Sequence, residues 1–504
     1  MLCKRQSPRY YPRIMCSFMP CSSWAGHHAA MTGMPFPPVM QAAMHQTTRR
    51  CSSLISTLAA RLLAICAVCV LAVQPVSAQS ILRDAETEAL LADMSHDLIL
   101  AAGLLPSNVN VVVINDRSIN AFVAGTQDVY IHSGLIEAAG NVNEVQGVIA
   151  HELGHIALGH SITRSESASK ASKITILSLL LGIAAVAAGA GEAGLGIMGA
   201  GQQAALGKFL AHTRGEEAGA DVAGAKYLSK AGLTGKGSLN FFKRLQNLEF
   251  RLAIPQEDSY NRSHPLSGER ITLLQEIYEN DPAFNARIDP ELEARFQRVK
   301  AKLVGYVADP PETLRDYPET DQSVPARYAR AYAWHKSAYP EKALEEARSL
   351  LAEAPDDPYF LEIYGQILLE SGRPQEALAP LQKAVASTNA QSLIAGVYGH
   401  ALIASEDPAN LPEAERVLKA AVARDAENPF AWYQLGVVYA NRGDTPRAAL
   451  ASAERYVLQG NAPLALLSAE EAMLGLPQGS ADFIRAQDIA ILARDAVERQ
   501  SRRR

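Results

Sequence analysis

The chain has no cysteine after Cys69 and no acidic residue before Asp84. The first absence excludes disulfides and thiolate ligands from everything downstream, so a metal site there must use histidine and carboxylate. The second absence marks the start as something other than a folded domain. Up to Gln79 there are seven cations (Lys4, Arg5, Arg9, Arg13, Arg49, Arg50, Arg61) and no acid; an acid-free basic leader is a targeting signature. Removing it takes the formal charge from −6 to −13. An acidic chain with no basic patch argues against nucleic acid as a partner. Long apolar runs are also lacking. Ile174 to Ala190 is uncharged for seventeen residues, and Ala193 to Leu206 forms a second apolar run. Each is at or below the short limit for a membrane span, and Glu192, Gln202, Gln203 and eight glycines from Gly182 to Gly207 weaken it further. The expectation is a flexible helical segment over 174–206 that covers the cleft or touches a membrane surface without spanning it.

The leader reads as a secretion signal. Arg49, Arg50 and Arg61 precede an apolar stretch from Leu62 to Val73, and Val76-Ser77-Ala78 fits a small-residue cleavage site before Gln79. Residues 1–78 are therefore expected to be a cleaved leader and signal peptide, its first forty or so an artefact of a start codon placed upstream of Met40 or Met44. The expected location is the periplasm. A chain of 504 residues, 48% of them hydrophobic, is long enough for two or three globular domains.

Residues 79–304 read as one domain of mixed helix and strand. Ala85 to Ala102 is amphipathic, "VNVVVIND" is a β-branched strand, and "INAFVAG" with "DVYIHSG" form a hairpin. Helices are expected over Glu144 to Gly159, over "GEEAGADVAGAKYL", and after "SHPLSGERI". Residues 305–324, rich in proline and acid, read as a linker. Beyond it "YPEKAL", "RPQEAL", "LPEAER" and "TPRAAL" recur, with Ala343, Ala377, Ala414 and Ala448 spaced by 34, 37 and 34. Trp432 to Tyr439 matches the W-x2-L-G-x2-Y signature of a tetratricopeptide repeat. Residues 325–500 are thus expected to be an all-α solenoid offering a concave face to a protein partner.

"VIAHELGHIALGH" carries the chemistry. His151 and His155, four apart on a helix, share one face and can hold one zinc ion through ring nitrogens. Glu152 stands beside the first of them as candidate general base. His160, five residues past His155, is rotated off that face, so it reads as a helix-end residue or a support for the ligands. In "GEEAGAD", Glu217 and Asp221 lie four apart. A ligating carboxylate followed one turn later by an aspartate that orients a ligating histidine fits Glu217 as third ligand and Asp221 as its support. Glu216 is the competing assignment, without an acid four residues on.

"INAFVAG", "GVIAHELGHIALGH", "TRGEEAGAD" and "SHPLSGERI" together resemble, in order and spacing, the zinc peptidase family of the CAAX prenyl endopeptidases and HtpX-type proteases. The resemblance implies an α+β gluzincin-type metallopeptidase domain, mostly helical with a small sheet, ahead of the repeats. It implies one Zn2+ per chain on His151, His155 and Glu217, with Glu152 as base of a metalloendopeptidase. Quality control of envelope proteins is the implied role. The implied partners are unfolded or misassembled envelope proteins and, on the solenoid, outer-membrane assembly machinery. His264 is implied near the metal, either bonding the developing oxyanion or filling the fourth zinc position in a closed state. Arg270 reads as structural, held in an ion pair. The stretch Asn120, Ala121, Phe122, Val123 is expected to be an edge strand whose free backbone groups pair with an extended substrate. Two rival readings are a repeat-based chaperone with a rarely open site, and a membrane-embedded peptidase.

Overall fold

A computed structural model describes residues 81–125, 127–160, 169, 172–181, 191–252, 264 and 268–502. The expected leader and cleavage site lie outside these residues, as do residues 182–190 of the 174–206 segment. Among the described residues no helix is long and apolar enough to cross a membrane.

The chain enters through a short strand β1 (Ile81–Leu82) and a helix α1 (Ala85–Ala101). Asp84 caps α1 by accepting from Thr87 N at 2.8 Å, and Glu86 and Glu88 add negative charge to its first turn. β2 (Val111–Ile114), β3 (Ala121–Ala124) and β4 (Asp128–His132) complete a four-stranded sheet in the order β1-β2-β4-β3. β2 and β4 run parallel, and β3 pairs antiparallel with β4, with Phe122 opposite Tyr130. That leaves β3 at the sheet edge. A short helix α2 (Ser133–Ala138) leads to α3 (Val142–Ala157), capped by Asn141, whose side chain accepts from Glu144 N. Val145, Val148, Ile149 and Leu153 of α3 are buried in one core with Val129 and Ile131 of the sheet.

α4 runs unbroken from Gly191 to Lys230, forty residues. This corrects the expectation of a separate segment ending near Leu206: the small-residue run continues straight into the helix that carries Glu217. Its good helix formers override the glycines once the C-terminal half is anchored by packing. Two glycines let α3 and α4 touch backbone to backbone. A Cβ on Gly154 would stand 2.8 Å from the Ala220 carbonyl oxygen, and one on Gly224 would stand 3.0 Å from the Ala150 carbonyl carbon. α5 (Lys236–Leu252), α6 (Gly268–Glu279) and α7 (Pro290–Val307) close the domain.

The stretch expected to be a linker is folded. α8 (Pro310–Asp316) interrupts it. The buried Arg330 donates to the carbonyls of Pro318 and Asp321 at 2.8 and 2.7 Å, and Arg117 of the first domain donates to Glu312 at 2.8 Å. Proline and acid mark helix starts and turns here rather than a free tether. Residues 79–504 form one compact unit.

The solenoid follows as ten helices: α9 (Val324–Lys336), α10 (Pro340–Glu353), α11 (Pro358–Glu370), α12 (Pro374–Ser387), α13 (Ser392–Ala404), α14 (Leu411–Arg424), α15 (Pro429–Asn441), α16 (Thr445–Leu458), α17 (Ala462–Gly475) and α18 (Ala481–Arg502). The recurring motifs of proline followed two or three residues later by alanine start α10, α12, α14 and α16, with proline in the first turn where its missing N–H costs nothing. A Cβ on Gly365 would meet Leu381 at 2.5 Å, and one on Gly399 would meet Leu418 at 2.6 Å. These glycines are therefore where paired helices close up. A fifth pair, α17 and α18, extends the solenoid beyond the four motifs.

Candidate active site

Three elements bring the polar groups together. α3 supplies His151, Glu152 and His155; α4 supplies Glu217 and Asp221; the approach to α6 supplies His264, and α6 itself supplies Arg270. All seven are buried, Glu217 completely. His151 Nε2 lies 3.1 Å from His155 Nε2, 3.3 Å from His264 Nδ1 and 3.3 Å from Glu217 Oε2. Glu217 is 3.5 Å from His155 Nε2 and 3.0 Å from His264 Nδ1. One donor atom from each of these four residues falls within 4.8 Å of all the others. Four ligands at 2.0–2.1 Å from a tetrahedral zinc stand roughly 3.3–3.4 Å apart. The donor set therefore fits a small metal ion in size, and its nitrogen and oxygen chemistry fits zinc.

The supports are equally specific. Asp221 Oδ1 lies 2.9 Å from His151 Nδ1, so that nitrogen carries a hydrogen and Nε2 is the one turned toward the cluster. Arg270 clamps Asp221 with two donors at 2.7 and 2.8 Å and reaches Glu217 at 3.3 Å. His264 Nε2 donates to the Ala121 carbonyl at 3.1 Å, which turns its Nδ1 toward Glu217 and the metal position. Glu152 Oε1 is 3.4 Å from His264 Nε2 and, among the described residues, has no hydrogen-bond partner.

Burial by itself would lower the His151 pKa; hydrogen bonds to Asp221 and Glu217 outweigh it and raise the pKa to about 10. Burial would raise Glu217, but His151 and His264 hold its carboxyl far below the usual range. Burial opposes ionisation of Asp221 too, and the Arg270 guanidinium with His151 keeps it charged.

Glu216 is not among the converging donors; its carboxylate lies 3.4 Å from His212 Nδ1, one turn back on α4. Asn120 precedes β3, and its carbonyl accepts from His132 N at 2.9 Å. Ala121 faces the cluster through its carbonyl. Phe122 stacks on Tyr130 with ring centroids 5.3 Å apart, and Val123 opposes Val129. Sequence reasoning missed that Arg270 serves the site. The available signal was the ion pair expected of Arg270, but only packing names Asp221 and Glu217 as its partners.

Residues 85–278 match peptidase family M48. The chain carries an M48 peptidase domain. The beta-barrel assembly-enhancing protease of Yersinia pestis is 25% identical to the chain over 406 residues, 78% of this chain and 80% of that one. A Vibrio cholerae protein provisionally given the same name is 28% identical over 296 residues, covering 56% of this chain and 59% of its own length. Metalloprotease LoiP of Escherichia coli is 29% identical over 201 residues, 38% of this chain and 73% of that one. An alignment of 406 residues outruns the M48 domain, so the likeness to the Yersinia protein reaches into the repeats. The likeness to LoiP is no longer than the M48 domain with its surroundings.

Proposed function

We propose that the chain is a zinc-dependent endopeptidase of the periplasm that cleaves unfolded or misassembled envelope proteins during assembly and quality control of outer-membrane proteins. The observation that carries this reading is the convergence of His151, His155 and Glu217 beside the buried Glu152. The substrate class rests on the likeness to proteases named for enhancing beta-barrel assembly, and the location rests on the leader.

His151, His155 and Glu217 hold the metal. A zinc ion so held supplies Lewis acidity, which lowers the pKa of water and polarises a scissile carbonyl. Glu152 takes the proton from the attacking water and returns it to the departing amine. The outer edge of β3 pairs with the substrate main chain, so sequence preference is loose. His264, whose Nδ1 converges with the three ligands, would in a closed state fill the place that water or the substrate carbonyl needs. Once withdrawn, His264 is within reach of the oxyanion. The solenoid holds a protein partner of the outer-membrane assembly machinery. Ile176, Leu177, Leu180 and Leu195, each more than half exposed, touch the membrane surface without spanning it, which flotation with liposomes tests.

The test of mechanism is Glu152→Gln. It should bind zinc like the wild type and lose cleavage of an unfolded substrate by about 10²–10⁴-fold. Full activity in that variant would sink the reading. The closed position of His264 favours one alternative, a chaperone whose repeats do the work. Rescue of outer-membrane defects by Glu152→Gln as fully as by wild type would select it.

A further inference from the structure

His160 lies just beyond the helix that carries His151 and His155. On a continuing helix it would point away from the metal site, but α3 stops at Ala157. Gly159 takes φ +68°, the left-handed conformation that glycine adopts without strain, and its N–H bonds back to the Ile156 carbonyl at 3.0 Å. That turn folds His160 back over the helix end. Its Nδ1 comes 2.9 Å from His155 Nδ1, with ring centroids 4.9 Å apart and planes at 71°. Across from it on α4, Gly219 borders the ring: a Cβ there would lie in ordinary contact, 3.7 Å from His160 Cε1.

We infer that His160 is a positioning residue for the ligand His155, accepting the hydrogen of its Nδ1 and so turning its Nε2 toward the metal. This rests on the proposed ligand set. A neutral imidazole carries one N–H. If Nε2 of His155 faces the metal, at 3.1 Å from His151 Nε2 and 3.5 Å from Glu217, then Nδ1 must hold that hydrogen and needs an acceptor. His160 Nδ1 is placed to accept it, which leaves the His160 hydrogen on Nε2. The two ligating histidines are thus oriented by different chemistry. His151 leans on the buried carboxylate of Asp221, and His155 leans on a neutral imidazole at the half-buried mouth of α3.

Competition with a chromogenic chelator on the leaderless chain measures zinc affinity directly, apart from catalysis. His160→Phe keeps a flat ring and removes the acceptor; it should weaken zinc binding about tenfold to a hundredfold. His160→Asn places an amide oxygen near the lost Nδ1 and should recover most of the loss. The metal-free melting temperature of His160→Phe should match the wild type. Wild-type zinc affinity in His160→Phe overturns the inference. So does a loss that His160→Asn fails to mend, or one matched by a fall in metal-free melting temperature, since either means packing rather than positioning. His155→Ala separates the two levels: if it retained zinc, the ligand set itself would be wrong, whereas loss of zinc there with full affinity in His160→Phe removes only the inference.

Discussion

Acidic side chains are taken out of water both at the metal site and where the peptidase domain meets the repeats, but their charges are met differently. At the junction the chain supplies its own cations. Glu86 contacts Arg298, lies 3.4 Å from Lys302 and accepts from the Tyr328 hydroxyl at 2.9 Å. Lys302 also contacts Asp84, and Arg298 reaches Asp357 of the first repeats at 2.7 Å. At the metal site Arg270 satisfies Asp221, yet three imidazole nitrogens and Glu217 still turn toward one point. A cluster that neutralises itself fastens two parts of a fold together. One whose acceptors converge is shaped for a cation from outside.

The comparison can be broken at its strongest point first. Glu217→Ala leaves two protein ligands from α3 and should lower zinc affinity by more than about a thousandfold, read by chelator competition; near-normal affinity would mean that Glu217 is no ligand. Next is Lys302→Met at the junction, which strips the half-buried Asp84 of its cation and leaves the buried Glu86 with Arg298 as its cation. Breaking such a buried pair costs about 3–5 kcal/mol, which urea unfolding should register without change in zinc affinity per folded molecule. Asp221→Asn is the milder change at the metal site. It should retain zinc at high metal concentration and lose it to a chelator about 10–100-fold more readily; if it matched wild type, the orienting role of Asp221 would fall.

The smallest effect per pH unit concerns Glu362 on α11. Burial pushes its pKa from 4.5 up to about 8 despite nearby Lys302, with Asp84 and Glu86 adding to the rise. A pKa raised on folding stabilises the protein fully below the unfolded value and loses that contribution as pH climbs through the folded one. Stability should therefore decline between pH 4.5 and about 8, by at most about 1.4 kcal/mol per pH unit. Glu362→Gln should flatten that slope in urea melts at several pH values. An unchanged slope would locate the titration elsewhere.

Much of the architecture was legible because it is local. The period of 34 residues and the small residues at Gly365, Gly399 and Ala343 announce helix pairs, since only small side chains let such helices close. The strand "VNVVVIND" follows from its β-branched run, and the hairpin after it from the short turn between two apolar stretches. The 305–324 connection was misread for the same reason. Proline and acid break a periodic pattern, but whether the broken stretch is free or packed depends on Arg330 and Arg117, which lie outside it. The length of α4 was equally out of reach, because glycine-rich sequence is helical here only through the packing of its distant half.

For the site, residue types and their spacing name the groups that can bind a metal: His151 and His155 on one face, Glu217 and Asp221 on another, Glu152 beside the first histidine. Side-chain chemistry and the 3.6-residue turn suffice for that. Tertiary structure decided that the two faces meet, through the glycine contacts of Gly154 and Gly224. It also decided that Arg270 neutralises Asp221 and that His264 reaches both the cluster and Ala121. Last, it decided that a left-handed Gly159 returns His160 to His155. Those are relations between elements far apart in the chain, or across a turn whose direction one φ angle sets, and no periodicity encodes them.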